Sequence, residues 1–217
     1  MGGSTPKFRR ESAAVRRREL IDATLRSLER HGRDGASIRR ISAIAGVSSG
    51  LINHHFGNKA RLIAAAYESL ALELQETLYR DSASCEGSPR ERVSAFIRAS
   101  FAPTILEPRI LNVWLVFWSM VMRAPSMRAV HDRTYRRYRS ILGGLLQAVG
   151  RARGVRVRAR SAAIALSALL DGLWIELCLS PGTFRPAEAV MLCESWVDAL
   201  CGGALPLLLQ TRRRRPS

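Results

Sequence analysis

The stretch that decides the fold runs Ser37-Ile38-Arg39-Arg40-Ile41-Ser42-Ala43-Ile44-Ala45-Gly46-Val47-Ser48-Ser49-Gly50-Leu51-Ile52-Asn53-His54-His55-Phe56-Gly57-Asn58-Lys59. Its first part carries Ile38, Ile41, Ile44 and Ala45 at spacings of three and four, the period of one helix face, behind Ser37, a good N-cap. Gly46-Val47-Ser48 interrupts that helix. Ser48 or Ser49 caps the next one, whose inward positions include Leu51, Ile52, His55 and Phe56, and Gly57 closes it. Two short helices joined by a tight glycine turn, behind a longer helix, form a helix-turn-helix. A helix that reads base edges needs a sharp turn before it, an apolar inner face and a short polar outer face. Gly46 meets the first need, Val47, Ile52 and Phe56 the second, and Ser49, Asn53 and His54 the third.

Upstream, a polar arm over residues 1–11 leads into a helix whose face is Leu20, Ala23, Thr24, Leu25 and Leu28, ended by Gly32 and Gly35. The helix-turn-helix domain therefore spans 12–57. Downstream, Asn58 caps a connecting helix over 58–80 that carries Leu62, Ile63, Ala66, Tyr67, Leu70 and Leu74. The polar stretch Asp81 to Pro89 reads as the joint to a second unit, 81–205. Helices are predicted there near 90–102, 109–123, 126–149, 159–180 and 187–201, punctuated by Pro103, Pro108, Pro125, Pro181 and Pro186. Gly143 and Gly144 should weaken or bend the third of these. Residues 206–217 end in Arg212 to Arg215 and read as a mobile basic tail. No alternating strand pattern occurs, so the fold class is all-α: an N-terminal helix-turn-helix domain followed by a helical ligand-binding and dimerisation domain.

The 217 residues are 47% hydrophobic, enough for a proper core, and carry 34 Lys+Arg against 18 Asp+Glu, a net charge of +16. The surplus sits in two blocks, +7 over residues 1–60 and +10 over 121–160, with the rest near neutral. Such charge draws a protein to polyanions. The second block also fits a solvated helix face. The apolar runs Leu111 to Met122 and Ala162 to Leu170 fall short of the roughly 18–20 residues of a membrane span, and charges stand where a signal peptide is apolar. A cytoplasmic, nucleoid-associated protein without a membrane partner is expected. Cys85, Cys178, Cys193 and Cys201 show no paired spacing and read as reduced, buried thiols.

Two catalytic readings compete for the same residues. Gly46-Val47-Ser48-Ser49-Gly50 spells the G-x-S-x-G of a serine hydrolase elbow, but that motif needs a preceding strand and a parallel sheet, and Ser37 to Ala45 is helical in pattern. Adjacent His54 and His55 point to different sides of a helix and make poor joint metal ligands. No nucleophile, acid/base pair or metal set assembles, so no enzyme and no cofactor is expected.

The 37–59 stretch resembles the DNA-binding domain of the TetR family of transcriptional repressors. The resemblance implies that Ser48 through His55 enters the major groove and that Lys59 touches phosphate from the start of the next helix. The candidate DNA-binding residues are Ser37, Ser48, Ser49, Gly50, Asn53, His54, His55 and Lys59, with His55 closer in character to a core residue. Asn53 departs from the tyrosine that many members carry there. The resemblance further implies a homodimer, formed by the last two long helices, on a palindromic double-stranded operator. Ile164, Leu166, Leu169, Leu170, Leu173 and Leu177, then Val190, Leu192, Val197 and Leu200, exceed what one helix face can bury.

In the second unit Trp114 and Trp118 stand four apart with Phe117 three from Trp114, and Asp171 lies in an apolar segment one turn from Trp174. Aromatic faces with a carboxylate suit a quaternary ammonium ion, which is attracted to ring faces and cannot donate a hydrogen bond. Aromatics at helical spacing also make ordinary cores, and Asp171 with an Arg of the basic block would make a structural ion pair. Spacing leaves both open. The runs 114–118, 123–142 and 168–180 are similar to the branch of the family that represses choline-to-glycine-betaine genes and is released by choline. That implies choline as the small-molecule effector and Trp114, Phe117, Trp118, Asp171 and Trp174 as its ligands. The alternatives are a family member with another effector, or a nonspecific basic DNA-binding protein.

Overall fold

A computed structural model describes residues 13–210. The arm, and the arginines at 212–215, lie outside the described residues. Among the described residues nine α-helices follow in order: α1 (Ala13–His31), α2 (Ile38–Ala45), α3 (Ser49–Phe56), α4 (Lys59–Ala83), α5 (Pro89–Ser100), α6 (Pro108–Val121), α7 (Pro125–Ala152), α8 (Ala159–Leu179) and α9 (Pro186–Cys201), with short 3₁₀ turns at Gly32–Gly35 and Pro206–Leu208. Among the described residues the only strand-like pairing is one antiparallel bridge, Val157 to Leu209. The chain is all-α.

Local chemistry sets the boundaries. Proline stands in the first turn of α5, α6, α7 and α9, where its missing N–H would have been unpaired anyway. Ser88 and Glu91 close a reciprocal capping box at α5. Asn58 caps α4 by accepting from the Arg61 amide at 2.9 Å. The serines of the helix-turn-helix behave differently. Ser37 and Ser48 do occupy the N-cap positions in extended backbone, yet neither side chain makes a capping hydrogen bond. What holds this turn is Gly46 in the left-handed region, φ 66°, and the Val47 amide donating to the Ser42 carbonyl at 3.0 Å.

Two apolar cores result. The smaller gathers Leu20, Ala23, Ile41, Ile52, Phe56 and Leu62 from α1 to α4. The larger draws on α4 to α9 with Leu28 from the end of α1, and is centred on Tyr67, Phe96, Phe117, Leu142, Leu146 and Leu166. They part within α4, between Leu62 and Ile63, rather than at the polar loop after it. The supposed connecting helix is thus a wall of the second unit as well.

Other expectations change or sharpen. α7 runs unbroken through Gly143 and Gly144, and Gly143 faces α8, where an added Cβ would lie 3.4 Å from Ala159. Its glycine serves close helix packing and introduces no bend. The stretch 206–210 is not a tail: the Arg158 amide donates to the Leu208 carbonyl at 2.8 Å and the Gln210 amide to the Arg156 carbonyl at 2.7 Å. The basic block on α7 is partly paired, Arg133 with Glu68 at 2.8 Å and Arg137 with Glu76 at 3.5 Å, both acids on α4. α8, at 21 residues, is long and apolar enough by length and composition to cross a membrane. The core helix of a globular protein meets the same description, and Ala162, Ala163, Leu166, Leu170 and Trp174 of α8 are buried in the larger core. The four cysteines are free thiols; Cys193 alone is fully buried, and burial pushes its thiol up to about 12.

Candidate functional site

The helix-turn-helix shows a polar face outward. Ile52 and Phe56 point into the small core, which leaves Ser48, Ser49, Gly50, Asn53, His54 and Lys59 exposed, with Ser37 and His55 partly so. His55 is therefore not a core residue, since Ile52 and Phe56 already fill the inward face at spacing four. Its backbone carbonyl accepts from Arg17, whose guanidinium also lies 4.2 Å from the centre of the Phe56 ring. Burial, then the neighbouring charges of His54, Arg17 and Arg16, hold the His55 imidazole below its usual range. Lys59 stands at the first position of α4, oriented by the Asn58 cap. Arg39 and Arg40 on α2 are exposed as well and add cationic surface beside the turn. The serine of the G-x-S-x-G string follows a helix, not a strand.

The second unit encloses a cavity of about 40 Å³ walled by α4, α6, α7 and α8, with Ser100 at the end of α5. Trp114 and Trp118 of α6, Asp171 and Trp174 of α8, Tyr135 and Tyr138 of α7, and Gln75 of α4 all line it. Trp114 lies 6.2 Å from Trp118 and 6.5 Å from Trp174, ring centre to ring centre. Trp174 is fixed by its indole N–H, which donates to the Ser100 carbonyl at 2.9 Å. A wider opening of about 290 Å³ shares Trp118, Tyr135 and Asp171, so these three stand where the inner space meets the outside.

Among the described residues Asp171 makes no ion pair. It accepts from the Tyr135 hydroxyl at 3.0 Å, while Arg139 lies over the Tyr135 ring at 5.3 Å and donates to Ser167. Burial pushes the carboxyl up to about 6, against the opposing pull of Tyr135 and Arg139. Phe117 is placed elsewhere. It is 0% exposed and packs on Tyr67, ring centres 4.9 Å apart, without reaching the cavity. A spacing of three turns it to the flank of Trp114 opposite to the one a spacing of four gives Trp118. Of the five residues expected around a ligand, Trp114, Trp118, Asp171 and Trp174 come together and Phe117 does not.

The structure adds Tyr135, Tyr138 and Gln75, which the sequence reading missed. The tyrosines hide in the Arg-rich block, where charge count masked an inward-facing stripe; their spacing of three, continued at spacings of four by Leu142 and Leu146, was the available signal. Tyr67 also belongs to this neighbourhood, hydrogen-bonded to His131 at 2.8 Å, and His131 stacks on Tyr135 with ring centres 4.1 Å apart.

α6 links the two units. Its outer turn carries Arg109, which meets Glu29 of α1 at 3.1 Å, while Trp114 and Trp118 lie further along the same helix. A helix-turn-helix head sharing one long helix with a helical body that holds an aromatic, acid-bearing cavity defines a DNA-binding transcriptional regulator. The chain belongs to the TetR family and has the C-terminal domain of its BetI type. Residues 20–66 match the bacterial regulatory proteins of the tetR family, and 89–202 match the BetI-type transcriptional repressor C-terminal domain. The HTH-type transcriptional regulator BetI of Burkholderia thailandensis is 34% identical over 187 residues, covering 86% of this chain and 93% of its own. A transcriptional regulator of Pseudomonas aeruginosa PAO1 is 44% identical and superposes with a TM-score of 0.84 over 94% of this chain and 98% of that one. A regulator from Saccharomonospora viridis, solved in complex with choline, shares the fold at a TM-score of 0.71 and 22% identity, over 85% of this chain and 96% of that one.

Proposed function

We propose that the protein is a repressor of choline-to-glycine-betaine genes which binds a palindromic operator as a homodimer and is released by choline. The observation that carries this is the meeting of Asp171 with Trp114, Trp118, Trp174 and Tyr135 around one cavity. A quaternary ammonium gains from ring faces and from a carboxylate and needs no acceptor beside the cation itself. The name of the Burkholderia relatives and the ligand of the Saccharomonospora regulator support the same chemistry.

Release follows from linkage. A ligand that weakens operator binding tenfold must bind the DNA-free form about 1.4 kcal/mol more tightly. α6 is the element through which the ligand acts: a cation settling against Trp114 and Trp118 shifts the helix whose Arg109 holds Glu29 of α1. The helix-turn-helix heads of the two subunits then lose the spacing of successive grooves.

Fluorescence anisotropy on DNA from the gene's own upstream region, against a scrambled duplex and titrated with choline, tests this. Specific binding reversed by choline is expected. Specific binding indifferent to choline would keep the regulator and discard the effector, whereas equal binding to both duplexes would favour a nonspecific basic protein. Asn53→Ala and Lys59→Ala should each weaken operator binding with little change in melting temperature, because both side chains are exposed.

A further inference from the structure

Gln75 lies on α4, on the cavity wall, and is 4% exposed. Its amide is oriented without ambiguity by its neighbour. The Thr134 backbone carbonyl can only accept, so the group facing it at 3.0 Å is Nε2, and Oε1 is the free end. Oε1 is buried and has no hydrogen-bond partner among the described residues. A buried acceptor left unpaired in a native structure is uncommon, and one on the wall of a ligand cavity is where a ligand donor belongs. Of the other polar groups on that wall, Thr134 Oγ1 is bonded to the Val130 carbonyl, Ser100 Oγ to the Phe96 carbonyl and Tyr135 to Asp171, while the Trp118 indole N–H is buried without a hydrogen-bond partner among the described residues; an indole N–H can only donate, so Gln75 Oε1 is the buried acceptor left open there.

We infer that Gln75 Oε1 accepts a hydrogen bond from a hydroxyl of the effector and sets specificity for a quaternary ammonium alcohol over a plain quaternary ammonium. This rests on the proposed cation reading of the same cavity. The site then has two poles on different helices. Asp171 and the tryptophans hold the charged end, and Gln75 of α4 reads the uncharged end. A ligand with the cation alone would fill the aromatic part and leave Oε1 desolvated and unpaired, so the acceptor acts mainly as a penalty on the wrong ligand.

The test is isothermal titration of the full-length protein with choline, ethyltrimethylammonium, which has the cation and no hydroxyl, and O-methylcholine, whose oxygen cannot donate. The expected result is that choline binds at least about tenfold more tightly than either analogue. Gln75→Met, which keeps length and removes the acceptor, should bring the three affinities within about twofold of one another, mostly by weakening choline. The comparison on the unaltered protein needs no variant and stands even if Gln75→Met folds poorly. Equal affinities of the unaltered protein for all three would overturn the role of Gln75 and leave the cation site standing. A preference for choline that survives in folded Gln75→Met would overturn it too. Absence of binding by any of the three would overturn the cation reading and this inference with it.

Discussion

Asp171 is the residue on which the proposed cation site turns, and its protonation makes opposite demands on stability and on the proposed binding. Its folded value is about 6 against an ordinary 3.8, so the folded protein holds that proton more tightly than the unfolded chain. The corresponding stability is fully present below about pH 4 and is lost as pH rises through about 6, where a charge must be buried. Cation binding runs the other way, since only the carboxylate attracts it. Asp171→Asn keeps an acceptor for the Tyr135 hydroxyl and removes the charge. At pH 7 the ligand-free variant should be as stable as the parent or more so, by up to about 3 kcal/mol. Its choline affinity should fall at least tenfold and lose the rise across pH 5 to 7 that the parent shows. Thermal melts and titration calorimetry at several pH values check both. A variant clearly less stable at pH 7, or a parent whose affinity ignores pH, would refute the assignment.

Among the elements, the helix-turn-helix was legible because every requirement for it is local. A left-handed turn glycine, apolar residues at three and four, and a polar outer face lie within 23 consecutive residues. The same locality hides which glycine matters most. Gly46 has a positive φ but open space around it, so alanine there meets only backbone strain of about 1–2 kcal/mol. Gly35, read only as a helix stop, faces the end of α1: a Cβ would lie 2.1 Å from the Ser27 carbonyl oxygen and 2.8 Å from the Leu28 amide nitrogen. Those are backbone atoms that cannot rotate aside, and the Ser27 hydroxyl is bonded to the Gly35 carbonyl at 2.8 Å. Gly35→Ala should therefore cost about 3 kcal/mol or more, and Gly46→Ala distinctly less. Chemical denaturation of the two variants would show it; equal losses would refute the packing argument.

At the scale of the whole molecule, the outer faces of α8 and α9 remain open within one chain. Leu166, Leu170, Val197 and Leu200, which the sequence offered to a dimer, are buried in their own chain, whereas Ile164, Met191 and Leu192 are exposed. The proposed homodimer would cover them. Leu192, 52% exposed, is the place to test it, because a charge there disturbs nothing inside the subunit. Leu192→Arg is expected to sediment as a monomer at concentrations where the parent is a dimer. It should also bind operator at least about tenfold more weakly, as two half-sites no longer act together. A variant that stays dimeric would exclude this face.

The division between sequence and structure is one of range. Sequence alone determined the all-α class, the helix-turn-helix, the proline-started helices and the pairing of Trp114 with Trp118, since each rests on residues within a turn or two of one another. It also marked Asp171 as a carboxylate in need of a partner. Tertiary structure decided which partner, by bringing Tyr135 of α7 to it instead of an arginine. It turned Phe117 onto Tyr67 and away from the cavity, and set Gln75 of α4 on the cavity wall with its oxygen unpaired. These outcomes depend on the rotation of four helices about their axes. Helical periodicity says which residues share a face, and only packing against the other helices says what that face meets.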